Sequence, residues 1–247
     1  MGRTMKGKGA LGNRLPAARS WGAAMLTAAR KPEPEVMDEA GEVEAYASAA
    51  AQAHLDDLDN AFVREIISLG ITAGIALDVG TGPGSIPVKV ARKCPGLRFV
   101  GADLSPSMLD AARHGADSQG INSRVAFVLA GASRLCFASG TFDLVISNSL
   151  LHHLSDPVAA FDEMARVTKR GGKVFLRDLR RPPRFAFSIH AFWYGRHYSG
   201  RMRQLYRDSL RAAYTPGEIS GLLRGSRMSG AKVASRQRTY VTVQWDN

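Results

Sequence analysis

From residue 75 to residue 178 the chain repeats one kind of unit. A short apolar run is followed by a glycine- or proline-marked turn and then a helical stretch, with about 20–30 residues per unit. The apolar runs fall at 75–79, 97–102, 125–129, 142–147 and 173–178, with helical patterns at 85–93, 106–115 and 157–169 between them. Ser105 stands as an N-cap before Pro106, and Asp156 before Pro157. Gly171 and Gly172 read as the stop of the third helix. Such alternation requires parallel strands joined by right-handed crossovers, with helices on both faces. An open sheet of this kind binds ligands outside the carboxyl ends of its strands.

Outside this frame the pattern changes. Residues 1–34 carry seven basic side chains up to Lys31 and no acid before Glu33, and end in Lys31-Pro32-Glu33-Pro34, which reads as a disordered basic tail. Residues 35–70 read as one or two cap helices, with Val43, Tyr46, Leu55, Leu58, Phe62, Ile66 and Ile67 on a helical period. Residues 182–214 are aromatic and arginine-rich, and read as an inserted helical lid. Thr215-Pro216-Gly217-Glu218 has the form of a capping box. Two last strands are expected at 231–236 and 239–244. Residues 35–247 therefore form one domain.

Charge and composition narrow the setting. The formal net charge is +11, concentrated at the two ends of the chain around an acidic middle. Basic ends attract phosphates, nucleic acid, anionic lipid or acidic metabolites without choosing among them. No nucleic-acid recognition motif accompanies the charge. Two cysteines, Cys94 and Cys136, exclude a disulfide-stapled module, suit a reducing, cytoplasmic setting, and read as core thiols. No uncharged apolar run reaches the about 20 residues of a spanning helix. His190 and His197 stand seven apart, on one face if their segment is helical. No metal-ligand set accompanies them.

The chemistry lies in the first turn. Asp78-Val79-Gly80-Thr81-Gly82-Pro83-Gly84-Ser85 links the first strand to its helix. A dinucleotide site wants G-x-G-x-x-G over a pyrophosphate. Here the third glycine comes one residue early, and Asp78 would repel a diphosphate. Asp103 closes the second strand, where a carboxylate accepts both hydroxyls of a ribose. Together these ask for a nucleoside with a cationic tail and no phosphates, a description that S-adenosylmethionine fits and NAD does not.

Asp78 to Gly84, Ala102-Asp103-Leu104-Ser105-Pro106-Ser107-Met108-Leu109, Phe142 to Asn148, Leu151-His152-His153-Leu154, and Arg166 to Gly172 resemble the class I S-adenosylmethionine-dependent methyltransferases. The nearest branch is the small-molecule one that includes ubiquinone/menaquinone and sterol methyltransferases. The resemblance implies an α/β, Rossmann-like doubly wound seven-stranded sheet, mostly parallel with an antiparallel last strand and helices on both faces. It implies S-adenosyl-L-methionine as cofactor. Asp78, Gly80, Thr81, Gly82 and Gly84 would hold the methionine part, and Asp103 the ribose. Leu104 and Met108 would pack on the adenine. Gly131 and Ala132 occupy the adenine-reading position, where the family usually has an aspartate and this chain has glycine. Asn148 would face the methionine part or the acceptor.

His152 and His153 stand at the mouth of the site as base or substrate contacts, and no metal is expected. The expected acceptor is a small molecule, aromatic or lipid-like, with room for peripheral contact with an anionic membrane. RNA or protein methylation, or a catalytically silent binding module, are the alternatives. The sequence is silent on oligomeric state.

Overall fold

The structure is a computed structural model and describes residues 29–34, 49–236 and 238–247. The part of the expected tail at 1–28 and of the cap at 35–48, with Val43 and Tyr46, lies outside the described residues. A twenty-residue helix α1 (Ala49–Ser68) leads into β1 (Ala73–Val79), α2 (Ser85–Lys93), β2 (Gly96–Asp103), α3 (Pro106–Ser118) and β3 (Val125–Leu129). Then come β4 (Phe142–Asn148), a 3-10 turn (Leu151–His153), α4 (Pro157–Val167) and β5 (Thr168–Leu179). After β5 follow a second 3-10 turn (Arg184–Ala186), α5 (Phe187–Gly195), α6 (Gly200–Ala212), α7 (Pro216–Arg224), β6 (Lys232–Arg236) and β7 (Tyr240–Asp246).

The seven strands form one sheet in the order β3-β2-β1-β4-β5-β7-β6. The first five pair in parallel, and β7 is antiparallel to both β5 and β6. Strand order reverses between β1 and β4, which puts the switch point at the carboxyl ends of β1, β2 and β4. One apolar layer contains Leu77, Val145, Phe161 and Val174 on one face. The other contains Phe62, Val90, Phe99 and Phe175, with α1 and α2 packed on it. A third cluster, Tyr198, Met202, Tyr206, Leu210 and Tyr240, ties α6 to the end of β5 and to β7.

The expected caps are made. Ser105 Oγ accepts from Met108 N, and Asp156 Oδ1 from Ala159 N at 3.0 Å. Thr215 and Glu218 form the reciprocal capping box.

Four expectations need correction. α4 stops at Val167 rather than running to Lys169 with Gly171–Gly172 as its stop. Thr168 already pairs with Phe142, and its hydroxyl donates to Met164 O at 2.7 Å. Gly171, at φ 77°, serves a register shift inside β5 instead of a helix stop. His190 and His197 do not share a helix face, because α5 ends at Gly195. His197 instead stacks on His54 of α1, with ring centroids 4.5 Å apart. Cys94 is buried, but Cys136 is exposed and is no core thiol. Residues 29–34, assigned to the loose tail by composition, lie against α6. Lys31 N donates to Arg211 O, and Arg30 Nε to Ala212 O at 2.6 Å.

Candidate functional site

Three glycines shape the β1–α2 turn, two for close packing and one for an open surface. All three have positive φ: 71° at Gly80, 52° at Gly82 and 75° at Gly84. A Cβ at Gly80 would meet Leu150 at 2.8 Å, and one at Gly84 would meet Ala112 and Phe127. These two are packing glycines. A Cβ at Gly82 would meet nothing within 4 Å, so its bare backbone faces the crevice.

Asp103 ends β2 beside this turn. Its Oδ2 accepts from Gly82 N at 2.8 Å, and its Oδ1 accepts from Ser105 N at 2.9 Å. The two backbone N–H groups fix the carboxylate in place. Each oxygen keeps a further lone pair for a hydroxyl. Leu104, 42% exposed, and Leu129, 57% exposed, stand at the carboxyl ends of β2 and β3. Gly131 leaves space beside them: a Cβ there would lie 3.4 Å from Leu104. Ala132 is buried, and Met108 is half-buried in the first turn of α3. These neighbours leave an apolar margin suited to a flat ring, next to a carboxylate suited to a diol.

Asp78 and Thr81 sit beneath the loop. Asp78 is 2% exposed, and its Oδ2 accepts from Thr81 Oγ1 at 2.8 Å. Thr81 is buried, so its hydroxyl supports Asp78 rather than facing the crevice. Burial pushes the Asp78 carboxyl up to about 7, against the Thr81 hydrogen bond, with Asp103 and then Asp59 adding to the rise. An unfolded aspartate ionises near 4, so this group favours the folded state fully only below about pH 4. Stability should fall as pH rises from about 4 to about 7 and then level off. Asp78→Asn should flatten that stretch in urea denaturation; an unchanged slope would locate the titration elsewhere.

Asn148 ends β4, and its Oδ1 accepts from Arg177 Nε at 2.9 Å. Arg177 is buried, lies over the rings of Phe62 and Tyr240, and donates to Leu58 O at 3.0 Å. The arginine thus locks α1, β4, β5 and β7 together behind the crevice.

The two histidines follow β4 in the 3-10 turn. His152 is buried rather than open at the mouth, and its Nδ1 lies 2.5 Å from Asp178 Oδ1. Its backbone N–H donates to the other Asp178 oxygen at 3.1 Å. That pairing directs Nε2 away from Asp178, toward Glu33 Oε2 at 3.9 Å. Burial alone would lower the His152 pKa, but Asp178 and then Glu33 hold it above the ordinary value. His153 is pushed down to about 4 by burial and by His152, and its Nδ1 lies 3.1 Å from Pro34 O.

Sequence reasoning missed Asp178, 26 residues from His152, and Glu33, which only the path of residues 29–34 brings there. Glu33, His152 and His153 place ligand-type atoms within 4.8 Å of one another. Two neighbours border this cluster. Asp178 takes one nitrogen of His152, and the Arg30 guanidinium brings a positive charge, donating to His152 O at 2.7 Å.

Known proteins agree with this geometry. Residues 77–176 match the family described as methyltransferase domain. The demethylmenaquinone methyltransferase of Thermus thermophilus is 34% identical over 113 residues, which is 46% of this chain and 50% of that one. The ubiquinone biosynthesis O-methyltransferase of Xanthomonas oryzae pv. oryzae is 32% identical over 163 residues, 65% of this chain and 64% of that one. The chain thus spans between half and two thirds of the length of these relatives. A putative S-adenosyl-L-methionine-dependent methyltransferase structure from Methanococcus maripaludis superposes with a TM-score of 0.59, at 18% identity, over 80% of this chain and 92% of that one. That likeness concerns the fold. Residues 77–176, from β1 into β5, thus carry a methyltransferase domain, and the switch-point crevice and its glycine turn lie within it, on a fold shared with S-adenosylmethionine-dependent methyltransferase structures.

Proposed function

We propose that the protein transfers a methyl group from S-adenosylmethionine to a small-molecule acceptor, aromatic or lipid-like, in a reducing compartment. One observation carries the cofactor part. The Asp103 carboxylate is clamped by Gly82 N–H and Ser105 N–H, beside a glycine surface that no side chain fills. The donor set fits the group: a diol for Asp103, and an apolar ring between Leu104 and Leu129. A cationic tail fits over the loop above Asp78, where its charge would offset the burial and the Asp103 and Asp59 charges that disfavour the Asp78 carboxylate.

The sulfonium supplies the activation for an in-line displacement at carbon, so the chain mainly orients the reactants and excludes water. Gly82 gives the tail a surface without a side chain. Asn148, held by Arg177, borders the path toward the acceptor. His152, oriented by Asp178, would take a proton at Nε2 when the acceptor must lose one. For that nitrogen to reach an acceptor, residues 30–33 have to swing off the turn they now cover. The relatives' names, which concern quinone precursors, support an aromatic acceptor with a lipid tail.

Incubation with methyl-labelled cofactor and a cell extract tests the reading. Label is expected in the solvent-extractable small-molecule and lipid fraction. Label in RNA or protein would replace the acceptor class. Bound cofactor with no transfer to any fraction would make the chain a silent binding module.

A further inference from the structure

We propose that the outer face of α5, with the 3-10 turn before it, is a docking surface for an anionic lipid bilayer. The proposal goes beyond methyl transfer and stands without it. Among the described residues, large apolar side chains are exposed at eight positions, and five of them fall between Phe185 and Tyr194. Phe185, Ile189, Phe192 and Trp193 recur at helical spacing, and Phe192 is 70% exposed. The opposite face carries the buried Ala191 and Gly195, with the Tyr206 ring packed on Gly195. The helix is therefore anchored from within and apolar outside, where a lone soluble helix would be polar.

The charge beside the stripe is of one sign. Between Asp178 and Asp208 the chain has seven arginines and no acid. Arg181 is buried and paired with Glu218, but Arg184 and Arg196 are exposed at the two ends of the stripe. Arg196 also lies over the Trp193 ring at 5.2 Å. Aromatic rings that enter the acyl boundary, with guanidinium groups at the headgroup level, match an anionic membrane surface.

A second copy of the chain fits less well. α5 has nine residues, about 14 Å of helix, too short by itself for the about 800 Å² per partner of a stable interface. Single-stranded RNA fits less well too, because the arginines flank a convex apolar ridge instead of lining a groove. The surface follows directly from the carboxyl end of β5, the same end of the sheet as the crevice. A docked molecule would therefore present that crevice to the lipid phase.

The test uses the full chain with vesicles of phosphatidylcholine, alone or mixed with phosphatidylglycerol. The expected result is sedimentation with the mixed vesicles, weakened by salt. Brominated lipid should quench a fluorescence signal that Trp193→Phe removes. Phe192→Ser with Trp193→Ser should lower partitioning about tenfold or more, and Arg184→Glu with Arg196→Glu should abolish the preference for anionic lipid. Cofactor affinity of the same variants reports whether they remain folded. The idea is overturned if the parent does not sediment, if the serine pair partitions like the parent, or if neutral vesicles bind equally well. It is also overturned if single-stranded RNA is bound instead, or if the serine pair converts a dimer to a monomer, which would make the stripe a contact between copies.

Discussion

Asp103→Ala is expected to weaken S-adenosylmethionine binding by about 2 kcal/mol or more, about thirtyfold, because two charge-assisted hydrogen bonds to a diol disappear together. The loss has a second source. Asp103 also accepts from Gly82 N and Ser105 N, so its removal frees two backbone donors and loosens the turn on which the cofactor would lie. Asp103→Asn grades the two effects. The amide keeps one acceptor oxygen for the backbone clamp but turns its NH2 toward the other backbone donor and gives up the charge, so both affinity and thermal stability should fall between parent and alanine variant. Calorimetric titration reads both variants. Parental affinity in the alanine variant would remove the ribose role.

The second large effect concerns the proton. His152→Gln should lower kcat by about 10²–10⁴-fold for an acceptor that must be deprotonated, with cofactor affinity unchanged. The sign of the pH dependence follows from the neighbours. A base works in its neutral form, and Asp178 and Glu33 hold His152 above the usual 6.5, so activity should rise with pH through that raised value. Glu33→Gln removes one of the two carboxylates and should shift the acidic limb of kcat/KM, which reports the free enzyme with residues 30–33 in place, toward lower pH. A glutamine variant with the parental rate and profile would make the His152–Asp178 pair a structural clamp. An acceptor that carries no removable proton would show the same indifference, so the acceptor identified by labelling is the one to use.

The residues legible in the sequence are those whose role is local. The glycine turn, Asp103 and the caps at Ser105, Asp156 and Thr215 each act within a few residues of themselves, and their spacing carries the information. The alternation of apolar runs is enough for the parallel strands, whereas the reversed last strand is expected only from the family resemblance. What stayed hidden depends on register. Asp178 meets His152 only because β5 lies beside β4 with Asn148 opposite Arg177. Arg177 carries no signal of its own in the sequence, and its place between Phe62 and Tyr240 follows from the packing of distant elements. Gly171 misled because the same positive φ that ends a helix also serves an irregularity within a strand. Gly82 and Gly84 look equivalent as letters, and only Ala112 and the Phe127 ring beside one of them separate a packing role from an open surface.

The reversed strand has a practical corollary. Since Tyr240 lies opposite Leu179 and Asp246 opposite Lys173, β7 carries the chain back to the edge where β5 begins. There Asn247 is stitched to the backbone of Gly171 and Gly172. A tether or reporter joined after Asn247 would leave from the rear of the sheet, so an immobilised molecule would keep its crevice turned away from the support.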